Sequence, residues 1–383
     1  MKLHYFDHNA TAPLSKEAKA AWLEATEACW LNPSSPYRSA AAVKVRYEAV
    51  RESLAERLRV EPGRVLFTSG ATEGNNAVMR HWAGTLSSDK KVGVSPIEHP
   101  SVIEAAKHFL GERIEWLPMT QDGRVDMDEF VPQIRSGALA AISVMAANNE
   151  TGVIQPWQVI AELCAEAAIP YHCDASQWVG RMSLSDLGDC SYVTACAHKF
   201  GGPRGVGFML LPSSGDRCHL FLGGSQEAGH RAGTEDVVGV LSMAAALKHS
   251  TQIGESGPRD TFIEKITRMI PEIRVVGVEA PRLWNTVSLI MPKHQSVRWI
   301  RLLEKAGFLL SAGSACSTGK SALSHVLLKM GIDEGAAGRV LRISAGAETT
   351  GEDWRALADA IPRTYEALND EADSTSSTVI SID

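Results

Sequence analysis

The sequence lacks any apolar run long enough for a membrane. The longest, Ala138 to Ala147 and Val237 to Leu247, fall well short of the roughly 20 residues a spanning helix needs. It also lacks the mark of a signal peptide, since Met1-Lys2-Leu3-His4-Tyr5-Phe6-Asp7 carries no apolar core. There is no basic stripe. Lys and Arg number 38 against 45 Asp and Glu, a net charge of -7, so no nucleic-acid partner is expected. The seven cysteines are odd in number and none falls in a CxxC pair. That excludes a complete internal disulfide framework and points to a reducing cytoplasm. A metal site is not expected. In His172-Cys173-Asp174, alternation along a strand sends His172 and Cys173 to opposite faces. No internal repeat is visible.

What is present is an ordinary globular composition over 383 residues, 44% hydrophobic and 22% charged, enough for two domains. Ser15 can cap a first helix, and Val43, Tyr47, Val50, Leu54 and Leu58 form one face of a long second one. A repeating pattern follows. Strands are predicted at Val65–Thr68, Lys91–Ser95, Ile114–Leu117, Leu139–Met145 and Ile169–Cys173, with helices between them. The fold class is therefore α/β, a mostly parallel mixed sheet sandwiched by helices, with a smaller α+β domain after it. The expected division is an N-terminal segment 1–15 packing on the small domain, a large domain 16–255, a small domain 256–370 and a flexible tail 371–383.

In such sheets ligands bind beyond the carboxyl ends of the strands. Polar groups gather there: Ser69-Gly70-Ala71-Thr72, Glu98-His99, Asn148-Asn149-Glu150, Asp174-Ala175-Ser176-Gln177 and His198-Lys199. Lys199 follows the apolar run Ser191–Cys196 and precedes a glycine-rich turn, a place where a partly desolvated amine acts as a nucleophile. A lysine amine forms a Schiff base with an aldehyde, and pyridoxal phosphate is the common aldehyde cofactor. Its remaining needs have candidates. The helix start at Gly70-Ala71-Thr72 suits the phosphate and Asp174 the pyridine nitrogen. His99 can stack on the ring, and Asn149 and Gln177 can reach its hydroxyl.

Asp7-His8-Asn9-Ala10-Thr11, Ser69-Gly70-Ala71-Thr72-Glu73, Asn148-Asn149-Glu150-Thr151-Gly152, His198-Lys199, Arg231-Ala232-Gly233-Thr234-Glu235 and Gly313-Ser314-Ala315-Cys316 together resemble the cysteine desulfurases. These are fold-type I, class-V aminotransferase-like pyridoxal-phosphate enzymes, and the resemblance runs in order from Asp7 to about Arg342. It implies a cytoplasmic homodimer that takes sulfur from L-cysteine, leaving L-alanine and a persulfide on Cys316. A sulfur-acceptor protein in iron–sulfur cluster assembly or thiolation would receive it. By the same resemblance Lys199 holds the cofactor and Asp174 faces its nitrogen. Ala71, Thr72, His198 and Thr234 lie near the phosphate, Thr234 coming from the other subunit. Arg342 clamps the substrate carboxylate, with Asn149 beside it, and Lys199, Cys316 and His99 are the catalytic groups. Cys196 stands where the family often has a phosphate-binding serine, and a thiol is the weaker donor.

Gly319-Lys320-Ser321 imitates the end of a nucleotide-binding P-loop. Five residues separate Gly313 from Gly319, however, where that motif has four. Small residues around one cysteine fit instead a loop that presents a thiol. A selenocysteine lyase would share these features. Another pyridoxal enzyme of the same fold would not need Cys316, and a non-catalytic sulfur-transfer scaffold would not need Lys199 and Asp174.

Overall fold

A computed structural model describes residues 2–213, 218–250, 254–313 and 323–376, the last five by backbone alone. Its centre is a seven-stranded sheet in the order Val65–Thr68, Gly207–Leu210, Tyr192–Cys196, Tyr171–Asp174, Leu139–Ser143, Lys91–Val94, Ile114–Trp116. Gly207–Leu210 runs antiparallel to both neighbours, and the remaining strand pairs are parallel. This is the mostly parallel mixed sheet expected from the pattern.

Alternation along each strand builds two cores. Val65 and Phe67, Val193, and Phe208 and Leu210 pack on one face with Trp157, Val240 and Met243. Leu66, Tyr192 and Met209, the residues between them, pack on the other with Val78, Trp82 and Val102. The sheet is thus buried on both sides, as a parallel sheet requires. One strand is displaced from its expected place. Ala168 adopts a left-handed φ of 54° and Pro170 follows, so the strand begins at Tyr171 and extends through Asp174.

A second sheet is antiparallel throughout: Ser311–Ala312, Val340–Ser344, Thr286–Ile290, Arg274–Val275. Val287, Leu289, Leu341 and Ile343 face helices through Phe262, Trp299, Leu303 and Trp354. Arg342, between Leu341 and Ile343, therefore points the opposite way, toward the large sheet. Residues 308–312 divide between two sheets. Phe308–Leu309 pairs in parallel with the N-terminal His4–Tyr5, while Ser311–Ala312 joins the second sheet. The last helix, Gly351–Ser376, runs into the segment 371–383 expected as a flexible tail. It continues because Asn369 and Glu371 still find partners in His294 and Arg298. Residues 377–383 lie outside the described part. Among the described residues no helix is long and apolar enough to cross a membrane.

One buried cluster fixes the segment around Glu227. Glu227 accepts from Tyr47 Oη (2.7 Å), from both terminal nitrogens of Arg51 (2.9 and 2.7 Å) and from the Phe67 N–H (3.0 Å). Four residues on, Arg231 Nε donates to Glu73 (2.7 Å), whose other oxygen accepts the Ser69 N–H (2.8 Å). The loop entering the Ala71–Thr85 helix is thereby held from outside.

Candidate active site

Between the carboxyl edge of the large sheet and the Arg342 face of the small one lies a cavity of about 730 Å³, within the size range of cofactor sites. One wall is the start of the Ala71–Thr85 helix. Gly70 caps it with φ 146°, a value open to glycine, and Ala71 and Thr72 line the cavity. Gly207 packs against this turn backbone to backbone, since a Cβ there would fall 2.7 Å from Gly70 Cα. The helix start, with its unpaired N–H groups, is suited to an anion.

Asp174 ends its strand at the cavity floor, 6% exposed. The Ser176 N–H donates to one oxygen (2.9 Å) and Asn75 Nδ2 to the other (2.8 Å). Burial raises its pKa, but the bonds from Ser176, the neighbouring His99 and Asn75 outweigh it and hold the carboxyl below its usual range. Asp174 is therefore an ionised carboxylate. Glu98, fully buried nearby, goes the other way: burial and the Asp174 charge push its pKa up. Burial, reinforced by Lys199, lowers both His99 and His198 to about 4, so both rings are neutral at pH 7. Lys199 closes a short turn, Ala197–Lys199, half-buried on the cavity wall. Cys196 also lines the cavity, and burial raises its thiol pKa.

The opposite wall is built around Arg342. Its Nη2 donates to Asp7 (2.7 Å), its Nη1 to the Asn149 carbonyl (3.4 Å), and its Nε is buried without a partner. Gln177 donates to the Asn9 carbonyl (3.1 Å) and accepts from the buried Arg181. Asn9 in turn donates to the Asn149 carbonyl (3.0 Å), so the N-terminal segment ties both walls together.

Ten residues singled out from the sequence thus share this cavity: Ala71, Thr72, His99, Asn149 and Asp174, with Gln177, Cys196, His198, Lys199 and Arg342. Thr234 is exposed and is not part of its own chain's cavity lining. Cys316 lies outside the described residues. Sequence reasoning assigned no role to Asn9, Ser101, Glu150 or Arg204, which also line the cavity. Asn9 and Glu150 stood inside motifs already noted, so their position was visible but their task was not.

Glu150 carries a pH signature. Burial raises its pKa to about 7, against the lowering pull of Ser324 and Arg342. The folded chain thus keeps a proton that the unfolded chain releases above about 4.5. The associated stability is complete at low pH and disappears as pH rises toward about 7. Glu150→Gln, neutral throughout, should flatten that fall, read as urea midpoints compared across this range. An unchanged pH slope would contradict the assignment.

Three comparisons bear on the site. The family model for class-V aminotransferases matches residues 4–357. The chain is 34% identical over 379 residues to the cysteine desulfurase IscS of Dictyoglomus turgidum (strain DSM 6724 / Z-1310), covering 95% of each. A solved NifS-like protein superposes with TM-score 0.86 at 27% identity, covering 96% of this chain and 100% of the other. SspA, solved in complex with cysteine, gives TM-score 0.79 at 25% identity, covering 91% of this chain and 100% of that one.

Proposed function

The chain belongs to the class-V aminotransferases and, within them, to the cysteine desulfurases, and from that premise we propose that it removes sulfur from L-cysteine, releasing L-alanine and leaving a persulfide on Cys316. The observation that carries this reading is the meeting in one cavity of a lysine, a buried ionised carboxylate and a guanidinium, Lys199, Asp174 and Arg342. Purified protein given L-cysteine should release alanine. Absence of alanine with pyridoxal phosphate bound would sink the proposal.

The residues fit pyridoxal phosphate, on which the family depends. The helix start at Ala71 and Thr72 suits its phosphate, with His198 close by. Asp174, kept ionised by Ser176 and Asn75, suits a protonated ring nitrogen. Asn149 and Gln177 suit its hydroxyl, His99 its ring face and Lys199 its aldehyde. When bound, it supplies an electron sink for the carbanion left when a substrate loses its Cα proton. Lys199 takes that proton. Cys316, as thiolate, forms a bond to the substrate sulfur while the Cβ–S bond breaks. The pair of that bond stays with Cβ, which is then protonated, and Lys199 returns its proton to Cα, so that the product leaves as alanine.

Arg342 holds the substrate carboxylate, and Asp7 fixes the plane of its fork. Arg342→Lys keeps the charge and loses the fork. It should raise KM for cysteine about 10- to 100-fold, with a smaller change in kcat. An unchanged KM would place the carboxylate elsewhere.

Thr234 is supplied to the cavity of a second copy. Its exposure in its own chain supports a homodimer with shared sites, as do the exposed neighbours Phe221 and Leu222. Mixing inactive Lys199→Ala and Thr234→Ala subunits then gives heterodimers with one intact site, and activity should reappear. No recovery after proven subunit exchange would count against sharing. The sulfur acceptor is a protein of cluster assembly or thiolation, and the compartment is the cytoplasm, where a resting Cys316 stays reduced.

A further inference from the structure

Asn75 does not line the cavity, yet it is fully buried behind it on the Ala71–Thr85 helix and touches three of its supports. Its Nδ2 donates to Asp174 Oδ2 (2.8 Å) and to Ser101 Oγ (2.9 Å), and its Oδ1 accepts from Thr194 Oγ1 (2.5 Å). Ser101 Oγ lies 2.8 Å from His99 Nδ1, and the Ser101 N–H donates to the same nitrogen (3.1 Å). On the far side, Thr194 meets His172 Nε2 (3.2 Å), and Ser143 meets His172 Nδ1 (2.9 Å). We propose that Asn75 is a positioning residue that relays the charge of Asp174 through Ser101 to His99, holding the ring proton on Nε2, the nitrogen left for the cavity.

The argument is one of donors and acceptors. An ionised carboxylate only accepts, so the Asn75 amide must turn its NH2 group, and not its carbonyl, toward Asp174. The second N–H of that group then occupies a lone pair of Ser101 Oγ. The Ser101 hydroxyl proton is left free to point at His99 Nδ1, which must accept it. The Ser101 backbone N–H enforces the same state, because the His99 side chain caps the Pro100–Leu110 helix. A neutral imidazole with Nδ1 accepting carries its proton on Nε2. The other end of the chain is consistent. With the Asn75 carbonyl accepting from Thr194, Thr194 accepts from His172 Nε2–H, and His172 Nδ1 accepts from Ser143. All six groups thus have one direction, and the charge on Asp174 sets it.

The inference rests on the reading above only in placing Asp174 and His99 at the reacting centre. The test is 15N NMR of histidine-labelled protein loaded with pyridoxal phosphate, with His99 assigned through His99→Gln. Wild type should show His99 protonated at Nε2, and protonation at Nδ1 would overturn the proposal. Asp174→Asn removes the charge, lets the Asn75 amide reverse and turns the Ser101 hydroxyl away from His99. The Nδ1–H tautomer should then gain about five-fold, the worth of one hydrogen bond, since the backbone N–H remains. In an Asn75→Leu background that response should vanish, whereas a direct effect of the Asp174 charge would survive and overturn the relay. Ser101→Ala cuts the same path at a less buried residue and should also abolish the response; a response that persists there overturns the relay as well. Absorbance reports cofactor loading separately, and the histidine signals are read on the cofactor-free protein too. A failure to bind pyridoxal phosphate would therefore strike the proposed function and leave the tautomer result standing.

Discussion

Lys199→Ala should lower desulfurase turnover at least about 10,000-fold, because in the proposed function one amine both attaches the cofactor and moves the Cα proton. The loss should not be one of folding. Lys199 is half-buried on a turn whose backbone bonds do not involve its amine: the Phe200 N–H reaches the Ala197 carbonyl (3.1 Å) and the Gly202 N–H the same oxygen (3.0 Å). The variant should still take up pyridoxal phosphate reversibly through the helix start at Ala71 and Thr72 and through Asp174. Borohydride should then fix no cofactor to it, while in wild type the label should map to the peptide containing Lys199. A label on another lysine, or near-normal turnover in the variant, would end the assignment.

Much of this site could be read from the sequence, for a simple reason. Strand ends are marked by the switch from apolar to polar residues, and a parallel sheet gathers those ends along one edge. Asp174, Lys199, His99 and Asn149 were recognisable on that basis. Arg342 was identified only through the family resemblance, and the structure sets it between Leu341 and Ile343, which face a core. What stayed hidden are the partners that hold these groups. Asn75 meets Asp174 from 99 positions away, and Asp7 meets Arg342 across 335. Glu227 and Arg51 are as remote, and no local periodicity marks such pairs. Asn75 sits on a helix where a polar residue reads as solvent-facing, and only the fold shows that it is buried. The partners of the last helix are equally remote, since Arg298 and His294 lie beside its polar residues Glu371 and Asn369.

Cys316→Ser should leave cofactor uptake and substrate binding intact and lower sulfide release at least about 100-fold, because serine has no thiolate to offer the substrate sulfur. The described residues on either side support reach. Leu323 and Ser324 line the cavity, and a Cβ on Gly313 would fall 3.2 Å from Glu150 Oε2, which lines it too. No strong activation is needed. A thiol of pKa about 8.5 is a few per cent thiolate at neutral pH, a handicap of only one to two powers of ten. Of the other six cysteines, all buried, Cys196 is the one whose replacement should disturb the cofactor, since it alone among them lines the cavity. Wild-type sulfide release from Cys316→Ser would remove this loop from the reaction.

The most direct test of the account is peptide mass spectrometry of the wild-type protein after a single turnover with L-cysteine under non-reducing conditions, with free alanine measured in the same sample. The account predicts a mass gain of one sulfur atom on the peptide containing Cys316, matched by one equivalent of alanine. Alanine released with the added sulfur on another cysteine, or on none, would contradict it.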